Sequence, residues 1–322
     1  MKKKGVNRKN VKTSSPCSIC SKPAIIHRDY EGRSLCGKCF CRSIEKRFKK
    51  TIGKHGMIKH GDRIAVALSG GKDSAVALYL MYMVTGPRRD VELFAISIDE
   101  GIRGSRDLAL KKAGELCRKL GIKQHTFSFK QEFGIALDEK VRKNGIGRED
   151  VCGICGIGRR WILNKKAREL GATKLCVGMN LNDEAESIMM NYVRGDVLRA
   201  SRLGPVTEYS RKMEGGGLFI PRIKPLRWVP ESETGLYARL RGLPFRPKHC
   251  RYRGGLRVDV EKALDMLEKK HVGVAFTVVN TFDAMLPGIR KSAEYGEPKI
   301  YKCKKCGEPG SHEVCKACEV WR

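Results

Sequence analysis

The 322-residue chain has no apolar run approaching the length of a membrane-spanning helix, and its Lys-rich start lacks the apolar segment of a secretory signal. Both absences point to a soluble, cytoplasmic protein with no membrane partner. Acidic residues are scarce, 35 Asp+Glu against 65 Lys+Arg, which leaves a net charge of +30. That excess goes beyond what solubility requires and implies a polyanionic partner, with nucleic acid ahead of an anionic membrane surface. The 14 cysteines fall largely in CxxC pairs, a pattern of metal ligation and not of disulfides. The length allows one substantial core with small appended modules.

The most patterned turn lies in DRIAVALSGGKDSAVALYL, residues 62–80. Ile64 to Leu68 reads as a buried strand, and Val76, Leu78, Leu80 and Met81 read as a buried helix. The hexapeptide between them, Ser69-Gly70-Gly71-Lys72-Asp73-Ser74, is neither a Walker A loop nor a GxGxxG dinucleotide turn. Gly70 and Gly71 permit a nest of N–H groups aimed at an anion, and the helix start adds its positive end. Lys72 supplies a cation, Ser69 and Ser74 supply hydroxyls, and Asp73 offers a ligand to a magnesium ion bridging phosphates. An ordinary glycine-rich turn is the bland alternative. The hexapeptide resembles the PP-loop of the ATP pyrophosphatases, which implies a grip on the pyrophosphate part of ATP and transfer of AMP to a substrate oxygen.

Composition divides the chain into four parts. Residues 1–15 read as a basic, mobile tail. Residues 16–42 hold Cys17-x-x-Cys20 and Cys36-x-x-Cys39, a fit for tetrahedral zinc, with Cys41 spare and His27 on the surface. Residues 43–296 form the catalytic domain. Residues 297–322 carry Cys303-x-x-Cys306 and Cys315-x-x-Cys318, a second zinc knuckle whose basic neighbours either contact RNA or solvate its rim. A helix is expected over Arg42 to His60, with Ile44, Phe48 and Ile52 on one stripe. Its basic residues are either solvated or in contact with phosphates.

Downstream, strands at Val91–Ile98, His125–Phe129 and Lys174–Val177 alternate with helices at Arg106–Leu120, Glu132–Lys143, Trp161–Leu170 and Glu184–Val193. The alternation predicts an α/β fold, a parallel sheet with helices on both faces. Further helices are expected at 232–240, 257–269 and 274–286, an exposed hairpin tip at Glu208–Gly217, and a cleft wall around Trp228. Ligands of such sheets sit beyond the carboxyl ends of strands. There, Asp99 either meets the nucleotide or is an ordinary turn acid. Asp183 and Glu184 open a helix, where the dipole alone favours carboxylates.

Cys152-Gly-Ile-Cys155 falls between two expected elements of the catalytic domain, with no second CxxC nearby. Cys250 is the distant partner with suitable surroundings, because Cys117 falls in a helix and Cys176 in a strand. Three thiolates suit an iron–sulfur cluster with one iron left without a protein ligand. A zinc site completed by His249 or Cys176 is the alternative.

Taken together, SGGKDS, a four-cysteine module at each end, Cys152/Cys155, and the segment from Pro225-Leu226-Arg227 through LYARLRGLPF to Cys250 resemble the tRNA 2-thiouridine synthetases of the archaeal and eukaryotic cytosolic type and the related bacterial tRNA thiolases. The resemblance implies a homodimeric, ATP-dependent tRNA sulfurtransferase with an oxygen-sensitive 4Fe-4S cluster on Cys152, Cys155 and Cys250. ATP and Mg2+, held by Ser69 to Ser74 and Asp99, would serve to adenylate the uridine C2 oxygen; sulfide would then displace AMP, with the wobble uridine, position 34, preferred. Asp183 would position magnesium or the activated base. Arg159 stands where some bacterial members carry a functional lysine, so it suits binding of phosphate or an intermediate better than proton transfer. The chain departs from the family's Gly-His-Asn-x-Asp-Asp at Met179 and Asn182. Position 54, a PP-loop ligase or amidase without iron, and a zinc-ribbon RNA-binding protein with a regulatory nucleotide site stay open. So does the sulfur donor: free sulfide, a desulfurase, or a ubiquitin-like protein thiocarboxylate.

Overall fold

The computed structural model describes residues 15–207, 218–247, 250–294 and 300–322. The basic tail before residue 15, the expected hairpin tip at 208–217 and His249 lie outside the described residues.

The chain enters through a hairpin, β1 (Ile26–Arg28) and β2 (Arg33–Leu35), which brings Cys17 and Cys20 beside Cys36 and Cys39. The four sulfurs lie within 4.8 Å of one another, a spacing for a single metal ion. Helix α1 (Gly37–Lys54) grows directly out of this module, with Cys36 as its N-cap. It starts five residues before the expected Arg42, because Phe40 and Cys41 extend the apolar stripe that Ile44, Phe48 and Ile52 continue. That stripe packs on the catalytic core, so the module and the core share one hydrophobic cluster.

The central sheet has six strands in the order β5-β4-β3-β6-β8-β7: β3 (Arg63–Ala67), β4 (Glu92–Asp99), β5 (Gln124–Ser128), β6 (Lys174–Cys176), β7 (Val206–Thr207) and β8 (Arg222–Ile223). All neighbours are parallel except the edge pair β7–β8. The α/β expectation therefore holds, with a two-residue antiparallel edge too short to leave a pattern in the sequence. Alternation along β3 sends Ile64 and Val66 into one apolar layer and Ala65 into the other, against Phe94, Ile96 and Ala167. Helices α2 (Lys72–Thr85) and α3 (Arg106–Leu120) follow the first two of these strands.

The expected helix over 132–143 is two, α4 (Phe129–Phe133) and α5 (Leu137–Asn144), separated by Gly134 at φ +75°. Next comes α6 (Arg148–Glu169), then α7 (Leu181–Arg194) and α8 (Val197–Ser201). Beyond the sheet, α9 (Glu231–Leu240) packs on α2, while α10 (Leu256–Lys270) and α11 (Val274–Glu294) pack on α7. No single helix among the described residues is long and apolar enough to cross a membrane.

The C-terminal knuckle consists of β9 (Tyr301–Lys302), β10 (Pro309–Gly310) and α12 (Lys316–Trp321), and it gathers Cys303, Cys306, Cys315 and Cys318 to the same single-ion spacing. It docks on α6 through Trp321, whose ring contacts Phe129 and Phe133 and whose Nε1 donates to the Ile154 carbonyl at 3.3 Å.

Candidate active site

β3 ends at Ala67, and the hexapeptide turns the chain into α2 at Lys72. Gly70 takes φ +79°, and a Cβ on it would stand 2.1 Å from the Ala109 carbonyl oxygen, so only glycine fits. The Ser74 hydroxyl lies 3.0 Å from that of Ser69, accepts from the Ser69 N–H and donates to the Gly71 carbonyl, closing the loop on itself. Lys72 Nζ reaches Asp73 at 2.9 Å and Glu231 of α9 at 2.6 Å. Burial opposes the charge on Lys72, but these two carboxylates outweigh it and hold the ammonium above its ordinary pKa. Asp73 Oδ1 accepts from Asn180 Nδ2 at 3.2 Å and from the Thr234 hydroxyl, and Asn182 Oδ1 accepts from the Glu231 N–H at 3.0 Å.

No motif in the sequence marks Asn180, Asn182, Glu231 or Thr234 as neighbours of the loop. The one available signal was the polar run after β6, whose Gly178 lies so close to the loop that a Cβ would meet Ser74 N at 2.8 Å.

Asp183 forms a reciprocal capping box with Asn180 at the start of α7 and lies 3.3 Å from Arg257 Nη1. Burial pushes its pKa up to about 6, Arg257 opposes the rise, and the charge of nearby Asp73 adds to it. Two carboxylates thus face one region beside the loop. Glu184 is committed elsewhere, buried with Lys224 at 2.8 Å and with Arg227. Asp99 Oδ1 accepts from the Gly101 N–H at 2.8 Å, which is the turn-acid arrangement.

Cys152 and Cys155 do not lie between elements, as their sequence context suggests, but one turn apart on α6. Gly153, Gly156 and Gly158 disguise that helix as a loop. The Cys152 thiol donates to the Tyr252 carbonyl at 2.9 Å, tying α6 to the segment that carries Cys250. Burial pushes the Cys155 thiol up to about 12; Arg159 opposes the rise, while Glu100, Cys250 and Cys152 add to it. Arg159 is thus near enough to all three thiols for its charge and theirs to act on one another. Arg159 Nε stands 3.7 Å from Glu100, Glu100 pairs with Arg106 Nε at 2.6 Å, and Arg106 Nη1 donates to the Ser69 carbonyl at 2.8 Å. Glu100 and Arg106 escaped the sequence reading, although the strand end that holds Glu100 was visible in it.

Among the described residues, only the two terminal four-cysteine groups close to single-ion spacing. Cys152, Cys155 and Cys250 do not close to that spacing, and Cys155 is only 9% exposed; three thiolates are the donor set that suits a polynuclear iron–sulfur cluster and not a closed zinc shell. Cys176 lies in the separate apolar cluster with Ile64 and Val66.

A mostly parallel sheet whose first large strand runs into SGGKDS, with carboxylates and thiols at the same edge, defines a PP-loop nucleotide-binding protein. Residues 41–247 match the model of the PP-loop domain, and residues 17–41 match that of the N-terminal LIM domain of the 2-thiouridine synthetase TtuA. The chain is 33% identical to a probable sulfurtransferase of Methanocaldococcus jannaschii, over 96% of this chain and 88% of that protein. It is 35% identical to cytoplasmic tRNA 2-thiolation protein 1 of Caenorhabditis elegans, over 94% of this chain and 79% of that one. The U34-tRNA thiolase NcsA of Methanococcus maripaludis, solved with its [4Fe-4S] cluster, superposes with a TM-score of 0.79 at 34% identity, over 95% of both chains. The chain belongs to this tRNA 2-thiolation family of PP-loop proteins.

Proposed function

We propose that the protein is a cytoplasmic, ATP-dependent tRNA-uridine 2-sulfurtransferase acting at the wobble uridine, position 34. The observation that carries this reading is the contact chain Ser69–Arg106–Glu100–Arg159, which couples the nucleotide loop to the thiol group across one sheet edge.

The C2 oxygen of uridine is a poor leaving group until it is joined to AMP. Loop N–H groups and the hydroxyls of Ser69 and Ser74 hold the pyrophosphate part of ATP, and Lys72 exchanges Glu231 for phosphate oxygens. Asp73 and Asp183 are the residues suited to a magnesium ion that offsets phosphate charge. Cys152, Cys155 and Cys250 would hold a 4Fe-4S cluster, which, with three protein ligands for four irons, would supply a seat for the incoming sulfur. Arg159 is oriented by Glu100 between loop and thiols; always charged, it offsets negative charge on the departing AMP or at C2. Zinc suits both terminal four-cysteine groups, and a homodimer with sulfide or a protein thiocarboxylate as donor completes the assembly.

The test is anaerobic reconstitution of wild type and Cys152→Ala, followed by mass spectrometry of nucleosides from the treated tRNA. The variant should lose bound iron and at least a hundredfold of 2-thiouridine formation, order of magnitude, while still binding ATP. Full thiolation by an iron-free variant would refute the reading.

A further inference from the structure

A groove of about 750 Å³ runs between α1, the N-terminal four-cysteine module and the turn joining α10 to α11. We propose that it holds the phosphodiester backbone of the tRNA; this rests on tRNA being the substrate, as argued above.

One wall is a ladder on α1. Lys46, Lys50 and Lys54 recur every fourth residue, about 6 Å apart along the axis. The opposite face of the helix buries Phe40, Ile44, Phe48 and Ile52, so the ladder is fixed in direction. Arg33 of β2 adds a fourth cation. All four are exposed, and among the described residues none of their side chains makes an ion pair or a hydrogen bond.

Their neighbours behave differently. Arg28 is buried on Glu233 and Glu31, and Arg47 is paired with Glu31 and with the Trp228 carbonyl. Glu31, the one acid in the lining, is thus already neutralised by two arginines. What remains is a concave surface of unspent positive charge, complementary to a polyanion.

Its floor is aromatic. The rings of Trp228 and Phe276 lie within 7° of parallel with centroids 6.5 Å apart, and Tyr30 stands 4.7 Å from Phe276. Half-buried rings below a row of cations suit bases or riboses of a strand whose phosphates the lysines hold. The groove also leads to the chemistry. One turn of α9 gives Glu233 to Arg28 in the groove wall and Glu231 to Lys72 in the nucleotide loop. The groove wall and the nucleotide loop are thus joined through the same turn of α9.

The experiment uses the full, metal-loaded chain, with Lys46, Lys50 and Lys54 all replaced by Gln, and by Arg in a charge-preserving control. Binding of unmodified tRNA is titrated across roughly 50–300 mM salt. At about 0.7–0.9 in the log–log slope per phosphate contact, the Gln variant should lose about 2–3 from the slope and at least tenfold in affinity. ATP binding should be unchanged, and the Arg variant should match wild type. An unchanged slope in the Gln variant, while wild type binds tRNA, overturns the groove and leaves the sulfurtransferase reading standing. So does an unchanged slope accompanied by a changed oligomeric state, which would make the groove a subunit interface. Absence of tRNA binding by wild type itself sinks both.

Discussion

At Gly70 two separate constraints meet, a positive φ and a backbone neighbour 2.1 Å from where a Cβ would stand. Gly70→Ala should therefore lose at least tenfold in ATP affinity by calorimetric titration, and about 1–3 kcal/mol of stability by urea midpoint from backbone strain alone. Asp183 allows a prediction with a sign. Folded, its carboxyl keeps its proton up to about pH 6; unfolded, only to the ordinary 3.8. The native state thus binds more protons between those values, and ionisation costs stability as pH rises through the window. Two units correspond to about 3 kcal/mol, and with the side chain 31% exposed we expect about 1–2 kcal/mol. The stability of Asp183→Asn relative to wild type should rise by that amount from pH 4 to 7 in thermal melts. A difference that stays flat across this range refutes the assignment.

Among the elements, α6 carries the most. It presents Cys152, Cys155 and Arg159 on one side and receives the C-terminal knuckle through Trp321. Gly158 is what allows this contact, since a Cβ there would come within 3.0 Å of Phe129 and 3.1 Å of Trp321. Trp321→Ala should cost about 3–5 kcal/mol and expose residues 301–322 to protease, with weaker retention of iron as the wall beside Cys155 loosens. Protease resistance equal to wild type would show that the ring does not hold the knuckle.

The same helix explains what the sequence could and could not disclose. Helix α3 was readable to both ends, Arg106–Leu120, because its stripe is regular and Gly121 ends it. In α6, three glycines, of which Gly158 serves packing, look like loop punctuation, and in α11, Pro287 looks like a stop although the helix continues to Glu294. Hexapeptide and CxxC pairs were visible because their chemistry is local. Glu231 and Thr234 were not, because the partners they serve lie 159 and 161 positions earlier in the chain.

On the scale of the whole molecule, the two terminal four-cysteine groups are not pendant beads. Cys17, Cys36 and Cys39 belong to the cluster that contains Ile64 and Leu78, and Cys303, Cys315 and Cys318 belong to that of Cys155 and Phe129. Chelating the zinc proposed for them should therefore lower the melting of the entire chain. A loss of about 3 kcal/mol corresponds to roughly 4–5 °C in Tm for a chain of this length. A chelated protein whose catalytic core melts at the wild-type temperature would contradict this coupling.

Trp321 also sets an order of events at the ribosome. It is synthesised 167 residues after Ile154, whose carbonyl it holds. Until that late stretch emerges, Phe129 and Phe133 have each other and Trp161 beside them but lack the indole that closes the cluster behind Cys155. The wall behind Cys155 is therefore the last part of this cluster to be completed as the chain is made, and it closes only when the C-terminal helix has folded into place.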